Sequence, residues 1–196
     1  THVGSMGGIM AIKRGEAHAA GCHLLDTGTG EYNLRFMRKY FPEHDAYLVR
    51  CVGRLQGLMV AKGNPLGING FADISREGVR YVNRQKGSGT RILADYLCET
   101  NGIDSTKIYV YEREDLTHTS VAAQIAAGSA DAGMGIYSAA KLYDLDFVPV
   151  CTEEYDLIIP EHAWDSAPVR KLLDVLQSKA FADRLRQLGG YTLTAP

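Results

Sequence analysis

The sequence predicts an α/β protein of two lobes, built mainly on parallel sheets. Three observations carry this. Strand-like runs alternate with amphipathic, helix-length segments along most of the chain, the rhythm of βαβ units. Glycine accounts for 21 of 196 residues, against about 7% in average usage, and it gathers where strand patterns hand over to helical ones. The rhythm breaks once, at two consecutive strand-like runs within residues 46–61, the natural crossing from one lobe to the other.

The elements follow in order. His2-Val3-Gly4-Ser5-Met6-Gly7-Gly8 reads as the end of a strand, a glycine turn and a helix start, with the helix over 9–14 and Gly15 closing it. On this reading the first lobe is truncated at its N-terminus and the chain is a piece of something longer. Residues 17–25 are strand-like and lead into the turn Asp26-Thr27-Gly28-Thr29-Gly30; 33–40 have helical spacing and stop before Pro42. Residues 46–52 and 55–61 read as strands, ended by the turn Lys62-Gly63-Asn64-Pro65.

In the second half, 79–82 is a strand and Gly87-Ser88-Gly89 opens a helix with Ile92, Leu93, Tyr96 and Leu97 on one face, closed by Asn101-Gly102. Residues 107–111 read as a strand. Thr119 is placed to cap a helix whose inner face is Val121, Ala122, Ile125 and Ala126. Short strands at 130–134, 147–150 and 155–159 flank a helix at 138–143. Two amphipathic helices close the chain, on Val169, Leu172, Leu173 and Leu176, then on Phe181, Leu185 and Leu188. The division expected is a first lobe over 1–61, a second over 62–160, and C-terminal helices over 161–196 that pack back on the lobes.

Charge and composition exclude several classes. A net charge of -2 lacks the basic footprint of a nucleic-acid binder. No apolar run approaches the ~20 residues needed to span a bilayer. Cys22, Cys51, Cys98 and Cys151 are scattered in apolar or helical contexts, the pattern of buried thiols in a reducing compartment, so the expected location is cytoplasmic. Cys22-His23 has no second Cys/His pair at metal-ligand spacing, and neither a metal nor another cofactor is expected.

Two strand-to-helix turns share one physical design. Gly4-Ser5-Met6-Gly7-Gly8 and Asn83-Arg84-Gln85-Lys86-Gly87-Ser88-Gly89-Thr90-Arg91 each let backbone N–H groups converge at a helix start, where the dipole favours negative charge and hydroxyls add donors. The second lacks the Gly-Lys-Ser/Thr ending of a P-loop, and no Gly-x-Gly-x-x-Gly follows a strand. Arg84 and Arg91 flank that turn and either fork an anion or form salt bridges to Glu112, Glu114 or Asp115. Thr119 and Tyr137 sit at further strand-to-helix junctions. Glu153-Glu154 and Glu112 with Glu114-Asp115 read as solvated faces, and no Gly-x-Ser-x-Gly elbow or nucleophile–base pair assembles.

Taken together, the loop at 83–91, the run Gly128-Ser129-Ala130-Asp131-Ala132-Gly133, the opening run at 2–8, and His23-Leu24-Leu25-Asp26 with Glu31-Tyr32-Asn33 resemble type 2 periplasmic-binding-protein folds over essentially the whole chain. The resemblance is to the branch fused to helix-turn-helix regulators or to MoeA-type molybdopterin-biosynthesis proteins, which is similar to molybdate-binding proteins and to LysR-type effector domains. It implies two α/β lobes joined by crossing strands that close on a small ligand at helix N-termini. Carried over by position, Ser5, Gly7 and Gly8 form the first-lobe contact. Ser88, Gly89 and Thr90 form the second-lobe contact, with Thr119 and Tyr137 completing the wall and Arg84 and Arg91 beside it.

The function so implied is a non-catalytic sensor domain for a small anionic ligand. That ligand is an oxyanion such as molybdate or tungstate, or a molecule related to the molybdenum cofactor. The partners implied are a fused or associated helix-turn-helix or MoeA-type domain and a second copy of the chain, with no nucleic acid or membrane bound directly. The alternatives are an enzyme on the same fold, dehydratase- or phosphoribosyltransferase-like, and a solute receptor of an ABC importer.

Overall fold

The computed structural model describes residues 3–193. They divide into two compact units: unit 1 holds residues 3–54 and 153–193, unit 2 holds Leu55–Thr152. Chain crossings fall between Arg54 and Leu55 and between Thr152 and Glu153. The C-terminal helices therefore belong to unit 1.

Unit 1 opens with helix α1 (Gly4–Lys13), strand β1 (Ala20–Cys22) and helix α2 (Leu34–Tyr40). Strand β2 (Ala46–Val60) begins in this unit and ends in unit 2, and β6 (Asp146–Pro160) makes the reverse passage. Within unit 1, β1 pairs antiparallel with β6, Ala20 opposite Ile158. Helix α1 starts five residues earlier than the apolar periodicity indicates, because Gly4, Gly7 and Gly8 add turns without adding an apolar stripe. Gly8 is a packing residue: a Cβ there would stand 2.9 Å from the Cβ of Ala20, so its absence sets α1 close on β1.

Helices α6 (Ala167–Leu176) and α7 (Lys179–Leu188) follow, with β7 (Tyr191–Leu193) pairing antiparallel to β2. Pro168 in the first turn of α6 and the Ser178 cap of α7, whose Oγ accepts from the Phe181 N–H at 3.1 Å, explain where these helices begin. Ile159, Ala163 and Val169 form a buried cluster, with Val49, Leu157, Trp164 and Leu173 packed around it.

Unit 2 contains β3 (Asn83–Arg84), α3 (Gly89–Thr100), β4 (Glu114–Asp115), α4 (His118–Ala126), β5 (Ala132–Ile136) and α5 (Tyr137–Leu142). Its core joins Met59, Val82, Val121, Ala122, Ile125, Ala130, Ala139 and Ala140.

The expectation of mainly parallel sheets needs correcting. The larger sheet is antiparallel in its described ladders, including β5 on β2 with Gln56 opposite Ile136. Among the described residues parallel pairing is found in unit 2, where β3 lies beside β4 and Tyr81 bridges Ala132. The cause is the two fifteen-residue strands, β2 and β6, which each read as two separate strands in the sequence. Residues 107–111 are not a strand; Ile108 and Tyr111 are buried from a turn in which Val110 takes φ 58°. Among the described residues no helix is long and apolar enough to cross a membrane.

Candidate functional site

In unit 1 the glycine-rich opening is a helix start without a cap. Val3 occupies the N-cap position and supplies no side-chain bond, and no acid lies in the first turn. The first N–H groups of α1 lie at the positive end of the dipole with no bond from the Val3 side chain. Ser5 is buried there, and its Oγ accepts from the backbone N–H of His23 at 3.1 Å.

That contact leads to a group of side chains that sequence reading missed. His23 Nδ1 lies 2.8 Å from Glu153 Oε2, and Arg54 Nε donates to Glu153 Oε1 at 2.6 Å. The Arg54 guanidinium covers the Tyr155 ring at 4.5 Å, and the His23 ring stacks on the same tyrosine with centroids 5.5 Å apart. Gly21 makes room for this: a Cβ there would lie 1.9 Å from the Tyr155 hydroxyl oxygen. Glu153, read from sequence as part of a solvated face, is 1% exposed. The correction has a physical reason, because a carboxylate is buried when charged partners accompany it, and these are about 100 and 130 residues away in the chain.

On the other face of β6 lies a second polar group. Asn33 Nδ2 donates to Asp156 Oδ2 at 2.8 Å, and Asn33 Oδ1 receives the Cys22 thiol at 3.0 Å and the Leu24 N–H at 2.8 Å. Burial pushes the Cys22 thiol up to about 12, which makes it a structural and unreactive group.

In unit 2 the glycine turn is built differently. Gly87 takes φ 86°, and Ser88 caps α3, its Oγ accepting from the Arg91 N–H at 3.1 Å. Ser88, Gly89 and Thr90 are all buried, and Thr90 Oγ1 accepts from the side-chain amide of Gln56, on β2, at 2.9 Å.

Arg91 takes the salt-bridge alternative. Its three guanidinium nitrogens reach Asp95 at 2.9 Å, Glu114 at 3.0 Å and Glu112 at 3.2 Å, and its plane covers Tyr111. Arg84 is buried as well, donating to the Leu116 carbonyl at 3.0 Å and to Gln85 at 3.1 Å.

The cap of α4 is Thr117 rather than Thr119. Thr117 and Ser120 form a reciprocal capping box, and Thr119 stands exposed with its Oγ1 3.1 Å from that of Thr117. Tyr137 is the first residue of α5 and meets Phe147 edge to face at 5.4 Å. The structure thus places Ser88, Gly89, Thr90 and Arg91 at one helix start, Thr119 and Tyr137 at two others, and Ser5, Gly7 and Gly8 in α1 of the other unit. Among the described residues no group of three or more His, Cys, Asp or Glu is placed to hold a metal ion.

Comparison with known proteins decides the family. Residues 1–177 match the PBP superfamily domain. The chain belongs to the PBP superfamily. Outside that match, it is 31% identical over 188 residues to the uncharacterized protein YvgK of Bacillus subtilis strain 168, which covers 96% of this chain and 60% of that protein. The chain therefore spans less than two thirds of that relative's length.

Among solved structures, it resembles a protein assigned as a phosphate ABC transporter substrate-binding protein, with bound phosphate, from Clostridium perfringens. The TM-score is 0.66 at 13% identity, covering 98% of this chain and 86% of that one. It also resembles a substrate-binding domain assigned to a molybdenum ABC transporter from Clostridium difficile, with a TM-score of 0.62 at 13% identity over 98% and 84% of the two chains. At such identities the likeness is one of fold, and it supports the α/β periplasmic-binding-protein architecture for this PBP superfamily member. The chemistry rests on its own residues.

Proposed function

We propose that this PBP superfamily domain is a non-catalytic ligand sensor that binds a small oxyanion, molybdate or tungstate or a molecule related to the molybdenum cofactor, in the cytoplasm. The observation that carries the reading is the start of α1: a ten-residue helix with no side-chain cap, no acid in its first turn and a buried serine. Such a terminus is a site where an anion completes the hydrogen bonding of the backbone. In unit 2 the reading assigns Ser88, Gly89 and Thr90 to the ligand, with Thr119 and Tyr137 lining it. Arg84 and Arg91 are committed to protein partners, so the donors left at the α3 start are uncharged. Backbone N–H groups and hydroxyls are donors that suit a small oxyanion.

Binding transmits a signal to a fused or associated helix-turn-helix or MoeA-type domain through the ligand's preference for one conformation, and the shift is bounded by that preference.

Thermal unfolding with molybdate, tungstate, sulfate, phosphate and small carboxylates tests the proposal. A ligand at ~100 times its Kd adds about 2.7 kcal/mol, a shift of roughly 5–10 °C for a chain of this size. A shift confined to molybdate and tungstate is expected. No shift with any anion overturns the oxyanion reading.

A further inference from the structure

Away from the helix starts, unit 1 contains a pocket of about 300 Å³. It lies where the last turn of α1, the C-cap of α2, the start of β2 and the end of β6 come together. Ligand pockets begin at roughly this volume. The apolar part of the lining is Ile12, Phe41 and Pro160, all buried. A space of this size takes a small molecule or a single side chain, and excludes a helix about 10 Å across.

The charge on the lining is unbalanced in a way the printed geometry defines. Asp45 and Glu161 are joined through the backbone, the Glu161 N–H donating to the Asp45 carbonyl at 2.8 Å. Among the described residues neither side-chain carboxylate has a hydrogen bond or an ion pair. Lys13 lines the same pocket but is held by neutral groups: its Nζ donates to the Tyr40 carbonyl at 2.8 Å and lies 5.7 Å from the centre of the Phe41 ring. The lysine charge is thus spent on a carbonyl and an aromatic face, both of which suit a cation, and the carboxylates keep theirs. The carbonyl end of α1 adds partial negative charge at the same place.

We propose that this pocket binds an organic cation, a guanidinium or primary ammonium group carried on a short apolar body. The head group meets Asp45 and Glu161, and the body lies on Ile12, Phe41 and Pro160. A guanidinium suits the site better than an ammonium, because its planar fork addresses two carboxylate oxygens together. His162 is also on the lining, and the free nitrogen of its neutral ring accepts from the same head group. An inorganic cation finds too few ligands, since among the described residues no group of three or more His, Cys, Asp or Glu is placed to hold one. The site is independent of the oxyanion reading, because two carboxylates and a helix C-terminus repel an anion.

Calorimetric titration of the whole chain near neutral pH tests this, with agmatine, benzamidine and butylamine as cations and with butyrate and benzoate as matched anions. An arginine peptide capped at both ends distinguishes a free cation from one borne on another protein; binding by either supports the site and names the source. The cations should bind, agmatine and benzamidine ahead of butylamine, and the anions should not. D45N and E161Q should each weaken binding about tenfold, the loss of one charged hydrogen bond. K13M should tighten it several-fold, because a like charge leaves the lining and the Tyr40 carbonyl becomes free. D165N, at an exposed acid outside the pocket, should bind as the unmodified chain does. Lys13, Asp45 and Glu161 are exposed, so Tm should stay close to that of the unmodified chain in each variant. No binding of any cation overturns the inference, as does equal binding of the anions. Equal losses in D165N and D45N would assign the effect to diffuse surface charge and overturn it too.

Discussion

The starts of α1 and α3 come from the same kind of glycine-rich turn, yet the protein finishes them in opposite ways. At α3 every strong group is used at home: Ser88 caps the helix, and Arg91 divides its nitrogens among Asp95, Glu112 and Glu114. At α1 the N-cap residue Val3 supplies no side-chain bond, and no acid lies in the first turn. The difference teaches that a motif fixes where backbone donors point, whereas the charge available to a ligand depends on long-range partners. Unit 2 has a capped helix start; unit 1 has one whose N-cap residue gives no side-chain bond.

The comparison breaks most readily at Glu153. Removing it by Glu153→Ala strands Arg54 with its partner gone in a buried setting, a loss of about 3–5 kcal/mol. Arg91→Leu should cost far less, roughly 0–1 kcal/mol, because Glu112 and Asp95 stay more than half exposed and rejoin the solvent. Urea unfolding of the two variants measures both, and equal losses would erase the distinction drawn between the two regions. Next in size is Gly21→Ala, which drives a methyl into the Tyr155 hydroxyl and should cost about 1–3 kcal/mol.

A smaller effect sharpens the contrast between caps. Ser88→Ala removes a cap and should cost about 1 kcal/mol. Val3→Asp adds a cap and an acid where α1 has neither, and should stabilise the helix by roughly 0.5–1 kcal/mol. The same change should weaken molybdate binding, because the new carboxylate occupies the donors that an anion would use. Tm with and without molybdate separates the two consequences, and tighter binding by the Val3→Asp variant would remove α1 from the site.

Local chemistry is what the sequence made legible. The helix opening at Gly87-Ser88-Gly89, the Asn101-Gly102 stop of α3 and the apolar stripes of the last two helices each lie within a few residues, and each is found where its pattern points. That same reading splits β2 and β6 each in two, and the splits fall at Gly53-Arg54 and at Cys151-Thr152-Glu153-Glu154. Polar residues in mid-strand look like loop to any local rule. Here Arg54 Nε donates to Glu153 across 99 positions, so the interruption in one strand is explained by the interruption in the other. The unnoticed part of the candidate site and the unnoticed length of the strands therefore have a single cause. Thr117 was passed over in favour of Thr119 for the opposite reason: both lie within the same turn, and composition alone does not choose between neighbouring hydroxyls.

The smallest expected effect sets two aspartates against each other, the buried Asp156 of unit 1 and the partly buried Asp131 of unit 2. In unit 2, Asp131 is gripped by Arg80 through Nε at 3.0 Å and Nη2 at 2.7 Å, which holds its carboxyl below the usual carboxylate range. In unit 1, Asp156 receives a neutral amide from Asn33, and burial raises it above that range. The signs of linkage are therefore opposite. The stability that Asp131 contributes is present above its unfolded value and is lost as pH falls through its lowered folded value. Asp156 favours the folded state most below its unfolded value, and that contribution is lost as pH rises through its raised folded value. Asp156→Asn keeps an oxygen for Asn33 and removes the charge, so at pH 7 it should raise the urea midpoint slightly, with the gain shrinking as the solution is acidified. Asp131→Asn should lower the midpoint at pH 7 and converge on the unmodified chain at low pH. Two midpoints that move in the same direction at pH 7 would show that Asp156 has a cationic partner equal to Arg80, and would make the two units electrostatically alike.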